Sequence, residues 1–101
     1  MQKRKLEKTI HTKLSRDDDY TAYLQLDALL GAQKPLSDPP QHDEMLFIIQ
    51  PQVAELWMKL LLHEINRAIF WIRQDALPPA LKNLGRARQV QSQLYNQWKV
   101  L

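Results

Sequence analysis

The sequence predicts an all-α protein, a piece of a helical bundle with one long central helix and an antiparallel partner helix. Apolar residues between His42 and Asp75 recur at intervals of three and four, the spacing of a helix and not of a strand. A second run with the same spacing extends from residue 78 to residue 101, and two prolines separate the runs. Because the connection is short, we expect the two helices to lie antiparallel.

The long helix carries apolar residues on more than one face. One stripe consists of Leu46, Ile49, Val53, Leu56, Leu60 and Ala68. The other consists of Phe47, Ala54, Leu61, Ile65, Ile69 and Ile72. A helix that is apolar on several faces is buried on several faces, and a helix of this length spans roughly 50 Å. We therefore expect this helix to need more protein around it than the chain supplies.

Pro51 lies inside the long helix. Proline removes a backbone donor, and its ring meets the carbonyl group of the residue four positions earlier, at a cost of about 3 kcal/mol. The sequence leaves three outcomes open: a kink tolerated by packing, a break into a short and a long helix, or a local opening of the backbone towards a ligand.

The region before the long helix contains an arm, a short helix and a loop. Residues 1–16 are polar and basic, which predicts a flexible arm, whereas residues 17–101 form the helical domain. The acidic residues 17–19 open a helix that Gly31 is placed to end. Its apolar residues are Tyr20, Tyr23, Leu24, Leu26, Leu29 and Leu30. Three prolines predict a loop over residues 32–41, and Ser37 or Asp38 can cap the helix that follows.

The last helix follows a turn at residues 76–79, where a proline suits the first helical position. Its predicted apolar stripe consists of Leu81, Leu84, Ala87, Gln91, Leu94, Trp98 and Leu101. The pattern stops without a glycine or a polar cap. We interpret the sequence as part of a longer chain.

Composition excludes several classes of function. The formal charge is +3, and the basic excess in residues 1–16 has no aromatic residue interleaved, which argues against nucleic-acid binding. Cysteine is absent, so disulfide and thiolate chemistry are excluded. No apolar run is as long as a membrane span, and the N-terminus lacks the apolar core of a signal peptide. We expect a soluble, cytoplasmic protein that contacts neither nucleic acid nor membrane.

The histidines do not form a metal site. His63-Glu64 resembles the start of a zinc-protease motif, but Arg67 stands where the second histidine is needed. His42, with the two acidic residues that follow it, is interpreted as a capping cluster at the start of the long helix. Three tryptophans remain, either as core anchors or as the lining of a ligand cavity: Trp57, Trp71 and Trp98.

Two segments closely resemble the tryptophan 2,3-dioxygenase family. They read YTAYLQLDALLGAQKPLS and HDEMLFIIQPQVAELWMKLLLHE, and the likeness extends over residues 9–101. The resemblance implies an all-α homotetramer that uses haem b and O2 to open the indole ring of L-tryptophan, giving N-formylkynurenine.

The resemblance also implies roles for particular residues. The start of the long helix would line the tryptophan pocket on the distal side of the haem, through Phe47, Ile48, Ile49 and Gln50. The first short helix would reach into the pocket of a neighbouring subunit, since N-terminal helices are exchanged between protomers, through Tyr20, Tyr23 and Leu24. Trp98 would border the haem.

The chain departs from the family pattern in two respects. Pro51 stands where the family has a histidine that hydrogen-bonds the indole N–H, so the resemblance assigns no certain catalytic residue. Losing one such bond costs about 1–3 kcal/mol, so turnover or specificity would change more than the fold. The family's iron-ligating histidine, carboxylate-binding arginine and glycine-rich loop lie beyond residue 101, so no iron ligand is expected in this chain.

Two other functions remain open. The chain could be a non-catalytic helical interaction module that buries its spare apolar stripes by self-association or on a homologue. Alternatively, the altered residue at position 51 could mark a superfamily relative that acts on another indole substrate. Residues 1–101 alone are expected to be inactive.

Overall fold

The computed structural model describes residues 17–101, and this part of the chain is helical without strands. Its elements are α1 (Asp17–Leu24), α2 (Leu26–Leu30), α3 (Glu44–Arg73), α4 (Leu77–Asn96) and a 3₁₀-helix, η1 (Gln97–Val100). The all-α prediction is confirmed. The chain divides into two compact units, Met1–Leu36 and Ser37–Leu101. The predicted arm lies outside the described residues, and the proposed domain limits stay a prediction.

The first unit contains two short helices where the sequence predicted one. Gln25 separates them, because it adopts a left-handed conformation with φ 56° and ψ 43°. Its side-chain amide donates to the carbonyl oxygen of Ala22 at 3.1 Å, and this bond satisfies a group that a helix end exposes. Gly31 ends α2 as predicted, since a Cβ there would lie 2.9 Å from the carbonyl oxygen of Asp27.

The loop over residues 32–41 is confirmed, but neither Ser37 nor Asp38 occupies the N-cap position of the long helix. Asp43 occupies the N-cap position of α3, and its side chain makes no capping hydrogen bond. Glu44 instead reaches back to the loop, where its Oε1 accepts the hydroxyl and the N–H of Ser37. The hydroxyl oxygen of Ser37 also accepts the N–H of Gln41 at 3.0 Å. Ser37 therefore ties the loop to the first turn of α3 through a side chain.

Pro51 does not break the long helix. Helix α3 runs for 30 residues with Pro51 inside it, so the outcome of two separate helices is excluded. The ring is exposed to solvent, and exposure leaves room for the local distortion that proline imposes.

The connection to α4 is shorter than the predicted turn at residues 76–79. Asp75 adopts a left-handed conformation with φ 58°, and the N–H of Ala76 donates to the carbonyl oxygen of Trp71 at 2.9 Å. Helix α4 then begins at Leu77, with prolines in its first turn. Prolines fit there because the first helical N–H groups have no intrahelical acceptor.

Helices α3 and α4 pack antiparallel along a line of small and polar residues, which we call the seam. The seam consists of the buried residues Gln50, Ala54, Glu64 and Ala68 of α3 and Ala80, Ala87 and Val90 of α4. Its direction follows from two pairs, because Gln50 meets Gln97 whereas Glu64 meets Asn83. The antiparallel prediction is confirmed.

The predicted stripe of α4 is rotated by about one position from the seam. Of its members only Ala87 is buried, whereas Leu81, Leu84 and Trp98 are exposed. The residues in contact with α3 are smaller, and small side chains allow two helix axes to approach closely. The large apolar residues of the predicted stripe therefore lie away from the contact between α3 and α4.

Helix α3 passes a test of length and composition for membrane spanning, with an 18-residue stretch of mean hydropathy 1.3. This stretch is not an uninterrupted apolar run, because it contains the charged residues Glu55 and Lys59. Core helices of soluble proteins pass the same test, so a single such helix is weak evidence. The buried Glu64 pairs with residues of α4, which indicates a protein environment on that side.

Candidate functional site

The first turns of α3 carry most of the residues that the sequence singled out. Phe47 leaves 64% of its surface exposed, and Ile49 is also exposed. Ile48 is half-buried, Gln50 is buried in the seam, and Pro51 is exposed. Position 47 and position 51 lie one turn apart and therefore share a helix face. The result is an open, largely apolar surface at the start of α3.

A reciprocal pair of glutamines joins η1 to the first turns of α3. The side-chain amide of Gln50 donates to the carbonyl oxygen of Gln97 at 3.1 Å, and that of Gln97 donates to the carbonyl oxygen of Gln50 at 3.3 Å. Trp98 follows Gln97 directly in η1 and is 55% exposed. The structure thus brings the predicted Trp98 to the level of the predicted Gln50.

Helical geometry places Pro51 and Trp98 on one face of the hairpin. Each residue directly follows a member of the Gln50–Gln97 pair, and the two helices run in opposite directions. A step of one residue turns by about 100°, and in antiparallel helices the two steps turn towards the same side. Nothing in the sequence pattern alone relates position 51 to position 98.

Three other predicted residues lie in the first unit, on α1. Tyr20, Tyr23 and Leu24 are all exposed to solvent. Next to them is a shallow depression of about 520 Å³. Its lining residues are Thr21, Ala22, Gln25, Asp27 and Ala28. The predicted residues themselves do not line it.

A buried carboxylate in the seam was missed as a structural centre by the sequence analysis. Glu64 Oε1 accepts a hydrogen bond from the Asn83 side-chain amide at 2.8 Å, and its Oε2 lies 3.7 Å from Nη1 of Arg86. The available signal was Asn83, a polar residue that falls between Ala80 and Ala87 at helical spacing. This cluster joins α3 to α4 and contains no nucleophile.

The residues around His63 do not form a metal site. His63 lines an open depression of about 500 Å³ on the outside of α3. Arg67 places its guanidinium 4.6 Å from the ring centre of Phe70 and 5.1 Å from that of Trp71, so a cation occupies the position where a second metal-binding histidine would stand. Across residues 17–101 no group of three histidine, aspartate or glutamate side chains could hold a metal ion.

The tryptophans differ in burial. Trp57 and Trp71 are half-buried beside the seam, whereas Trp98 is exposed. The interpretation of tryptophans as core anchors therefore suits the first two better than the third. Trp98 presents an aromatic face on the same side of the hairpin as Pro51.

The fold and this site define an all-helical hairpin with an exposed, largely apolar surface beside a helical proline. Comparison with known proteins makes this specific. The sequence profile of the tryptophan 2,3-dioxygenase family matches residues 6–101. The chain belongs to the tryptophan 2,3-dioxygenase family, and the resemblance read from its two segments is confirmed.

Individual relatives agree with the family assignment. A tryptophan 2,3-dioxygenase of Arthrobacter sp. (strain FB24) is 52% identical over 97% of this chain and 34% of its own length. One of Bacillus anthracis is 54% identical over 95% of this chain and 34% of its own. One of Serratia proteamaculans (strain 568) is 50% identical over the whole chain and 36% of its own. The chain spans about a third of the length of the relatives it matches.

Proposed function

We propose that this chain is the N-terminal portion of a haem-dependent tryptophan 2,3-dioxygenase, an oxidoreductase that converts L-tryptophan and O2 to N-formylkynurenine. The supporting observation is family membership over residues 6–101. Relatives that share about half of their aligned residues with this chain are named tryptophan 2,3-dioxygenase. Since those relatives are about three times longer, the activity belongs to the assembled enzyme and not to residues 1–101 alone.

The start of α3 would form the distal wall of the tryptophan pocket. Residues 47–50 and Pro51 are the proposed lining, and the exposure of Phe47 and Ile49 supports this role. An indole ring is flat and apolar, so it binds well against an aromatic and aliphatic surface. Gln50 would act through its pair with Gln97, because its side-chain amide is already bonded in the seam.

Trp98 would border the haem. The face of the hairpin that carries both Trp98 and Pro51 would then lie next to the haem. The fit is one of surface chemistry, since this face offers the exposed aromatic ring of Trp98 and the exposed ring of Pro51. Haem supplies the redox chemistry that O2 requires. The residues of this chain would exclude water from one side of the haem and orient the substrate beside it.

The first unit would serve assembly. Tyr20, Tyr23 and Leu24 are exposed on α1, and exposed aromatic residues are typical of contacts between subunits. We propose that they enter the pocket of a neighbouring subunit in a homotetramer with exchanged N-terminal helices. Residues 1–16 would be the arm of the helical domain 17–101, and the enzyme would be soluble and cytoplasmic.

A chimaera tests the proposed function. Residues 1–101 are joined to the remaining two thirds of the Bacillus anthracis relative, and the product is compared with the intact relative and with its last two thirds alone. We expect the chimaera to bind haem and to form N-formylkynurenine, detected by its absorbance, while residues 1–101 alone do neither. A folded, haem-loaded chimaera that binds no tryptophan would refute the proposal and favour a non-catalytic interaction module. Turnover of a substituted tryptophan in preference to L-tryptophan would indicate another indole substrate.

A further inference from the structure

Pro51 deprives one backbone carbonyl group of its helical partner. In an α-helix the N–H of each residue donates to the carbonyl oxygen four residues earlier, and proline has no N–H. Helix α3 nevertheless continues through Pro51. The carbonyl oxygen of Phe47 therefore receives no hydrogen bond from position 51, and a backbone acceptor removed from water requires another donor.

The nearby side-chain amides are engaged in other contacts. That of Gln50 donates to Gln97, and that of Gln97 donates to the carbonyl oxygen of Gln50 and not to that of Phe47. Because the reciprocal glutamine pair is closed upon itself, the side-chain amides of Gln50 and Gln97 do not donate to the Phe47 carbonyl.

The side chains near this peptide group are exposed and suited to contact with an aromatic ring. Phe47 and Pro51 are exposed and share a helix face, and the exposed Trp98 lies on the side of the hairpin to which Pro51 points. An acceptor set among apolar side chains favours a flat ring that carries one N–H donor. A ring without that donor would leave the acceptor unpaired.

We propose that the carbonyl oxygen of Phe47 is the acceptor for the ring N–H of an indole ligand. This assignment rests on the proposed function and deepens it, because it names the group that orients the substrate. The ring N–H donates to the Phe47 oxygen, and the proline at position 51 keeps that oxygen available. Phe47 then recognises the ligand through its backbone as well as through its side chain.

The assignment predicts discrimination against ligands that lack the ring N–H. In the haem-loaded protein that contains these residues, 1-methyl-L-tryptophan should bind roughly 5- to 150-fold more weakly than L-tryptophan, which is the effect of one unpaired buried acceptor. Binding is measured by equilibrium titration without O2. Absence of binding by either compound would refute the proposed function and this assignment together. Equal binding of the two would refute the assignment alone.

Substitution of the proline separates its effect from that of the pocket. Pro51→Ala restores an N–H that bonds the Phe47 oxygen, so L-tryptophan binding should weaken and the preference over the methylated compound should disappear. Pro78→Ala is the matched control, because α4 begins at Leu77 and an N–H in its first turn has no helical acceptor. Unchanged discrimination in the Pro51→Ala variant would overturn the assignment.

A direct readout concerns the carbonyl itself. Phe47-Ile48 is the single Phe-Ile pair in the sequence, so labelling phenylalanine with carbonyl ¹³C and isoleucine with ¹⁵N marks this peptide group for NMR. The ¹³C resonance should move on adding L-tryptophan and move much less on adding 1-methyl-L-tryptophan. The same shift with both compounds would show a general pocket effect and contradict the proposal.

Discussion

Helix α3 has two sides made of different residues, and they behave differently. Towards α4 it presents Ala54, Ala68 and the polar side chains of Gln50 and Glu64, all buried. On its other sides lie much larger apolar residues that remain exposed, and α4 repeats this arrangement. The exposed members on the two helices include Phe47, Ile49, Val53, Leu56, Met58, Leu62, Ile69, Phe70, Ile72, Leu77, Leu81 and Leu84.

The difference separates what holds the hairpin together from what it offers to other protein. The small residues of the seam bring the two helix axes close, and its polar pairs can form only in one register. Most of the apolar area lies outside the seam, and contiguous exposed apolar surface marks interaction sites. The small residues therefore form the contact between the two helices. The large apolar residues remain exposed and are available for contact with other protein.

The largest effect is expected from a large side chain in the seam. Ala80 has no exposed surface and Ala68 has 1%, so Ala80→Phe should lower the free energy of unfolding by about 3 kcal/mol, because overpacking forces the two helices apart. Urea unfolding followed by circular dichroism measures the change. Leu62→Phe, on the exposed side, is the control and should change stability by less than about 0.5 kcal/mol. Equal losses of stability in Ala80→Phe and Leu62→Phe would contradict the distinction between the seam and the exposed side.

The next effect concerns the buried carboxylate. Glu64→Ala should cost about 2 kcal/mol, because the Asn83 amide loses its acceptor inside the seam. Glu55→Ala removes an exposed glutamate of the same helix and should cost much less. A cycle with Asn83→Ala isolates the pair: the two substitutions should be non-additive. Additive costs would mean that Glu64 acts through packing and not through this hydrogen bond.

A smaller effect is expected at the glutamine pair. Gln50→Ala should cost about 1 kcal/mol and release η1, because it removes the bond to the Gln97 carbonyl. Gln97→Ala should cost less, since it also removes the side-chain oxygen Oε1, which is buried without a partner. Hydrogen exchange of residues 97–100 provides the measurement. The opposite order of the two variants would contradict the inferred role of the pair.

The smallest effect on stability is expected on the exposed side. The double variant Leu62→Ser with Ile69→Ser should change the free energy of unfolding of the hairpin by no more than about 1 kcal/mol, since each surface substitution contributes within ±0.5 kcal/mol. It should, however, reduce association of the chain in sedimentation experiments, because both side chains are exposed apolar groups. Lys59→Ser serves as the control. Unchanged association of the double variant would show that the chain associates through other surfaces.

Some residues of the proposed site could be predicted from the sequence, and others could not. The segment around Phe47 and Pro51 was identified from its motif, and its exposure is a finding of the structure. The contact that brings Trp98 to Gln50 joins positions 47 residues apart, and periodicity within one helix carries no information about such a pair. The break at Gln25 could not be predicted either, because nothing in the residue types around it indicates that this glutamine adopts a left-handed conformation.

By itself the sequence determined the helical class, the long helix from the spacing of its apolar residues, the antiparallel return from a short proline-containing connection, and the family. The tertiary structure decided which face of each helix meets the other. Hydrophobicity predicted leucines such as Leu81 and Leu84 at the contact, but close packing selected Ala80 and Ala87. The reason is steric: the distance between two helices is set by the smallest side chains that can align between them, and that alignment exists only when both helices are present.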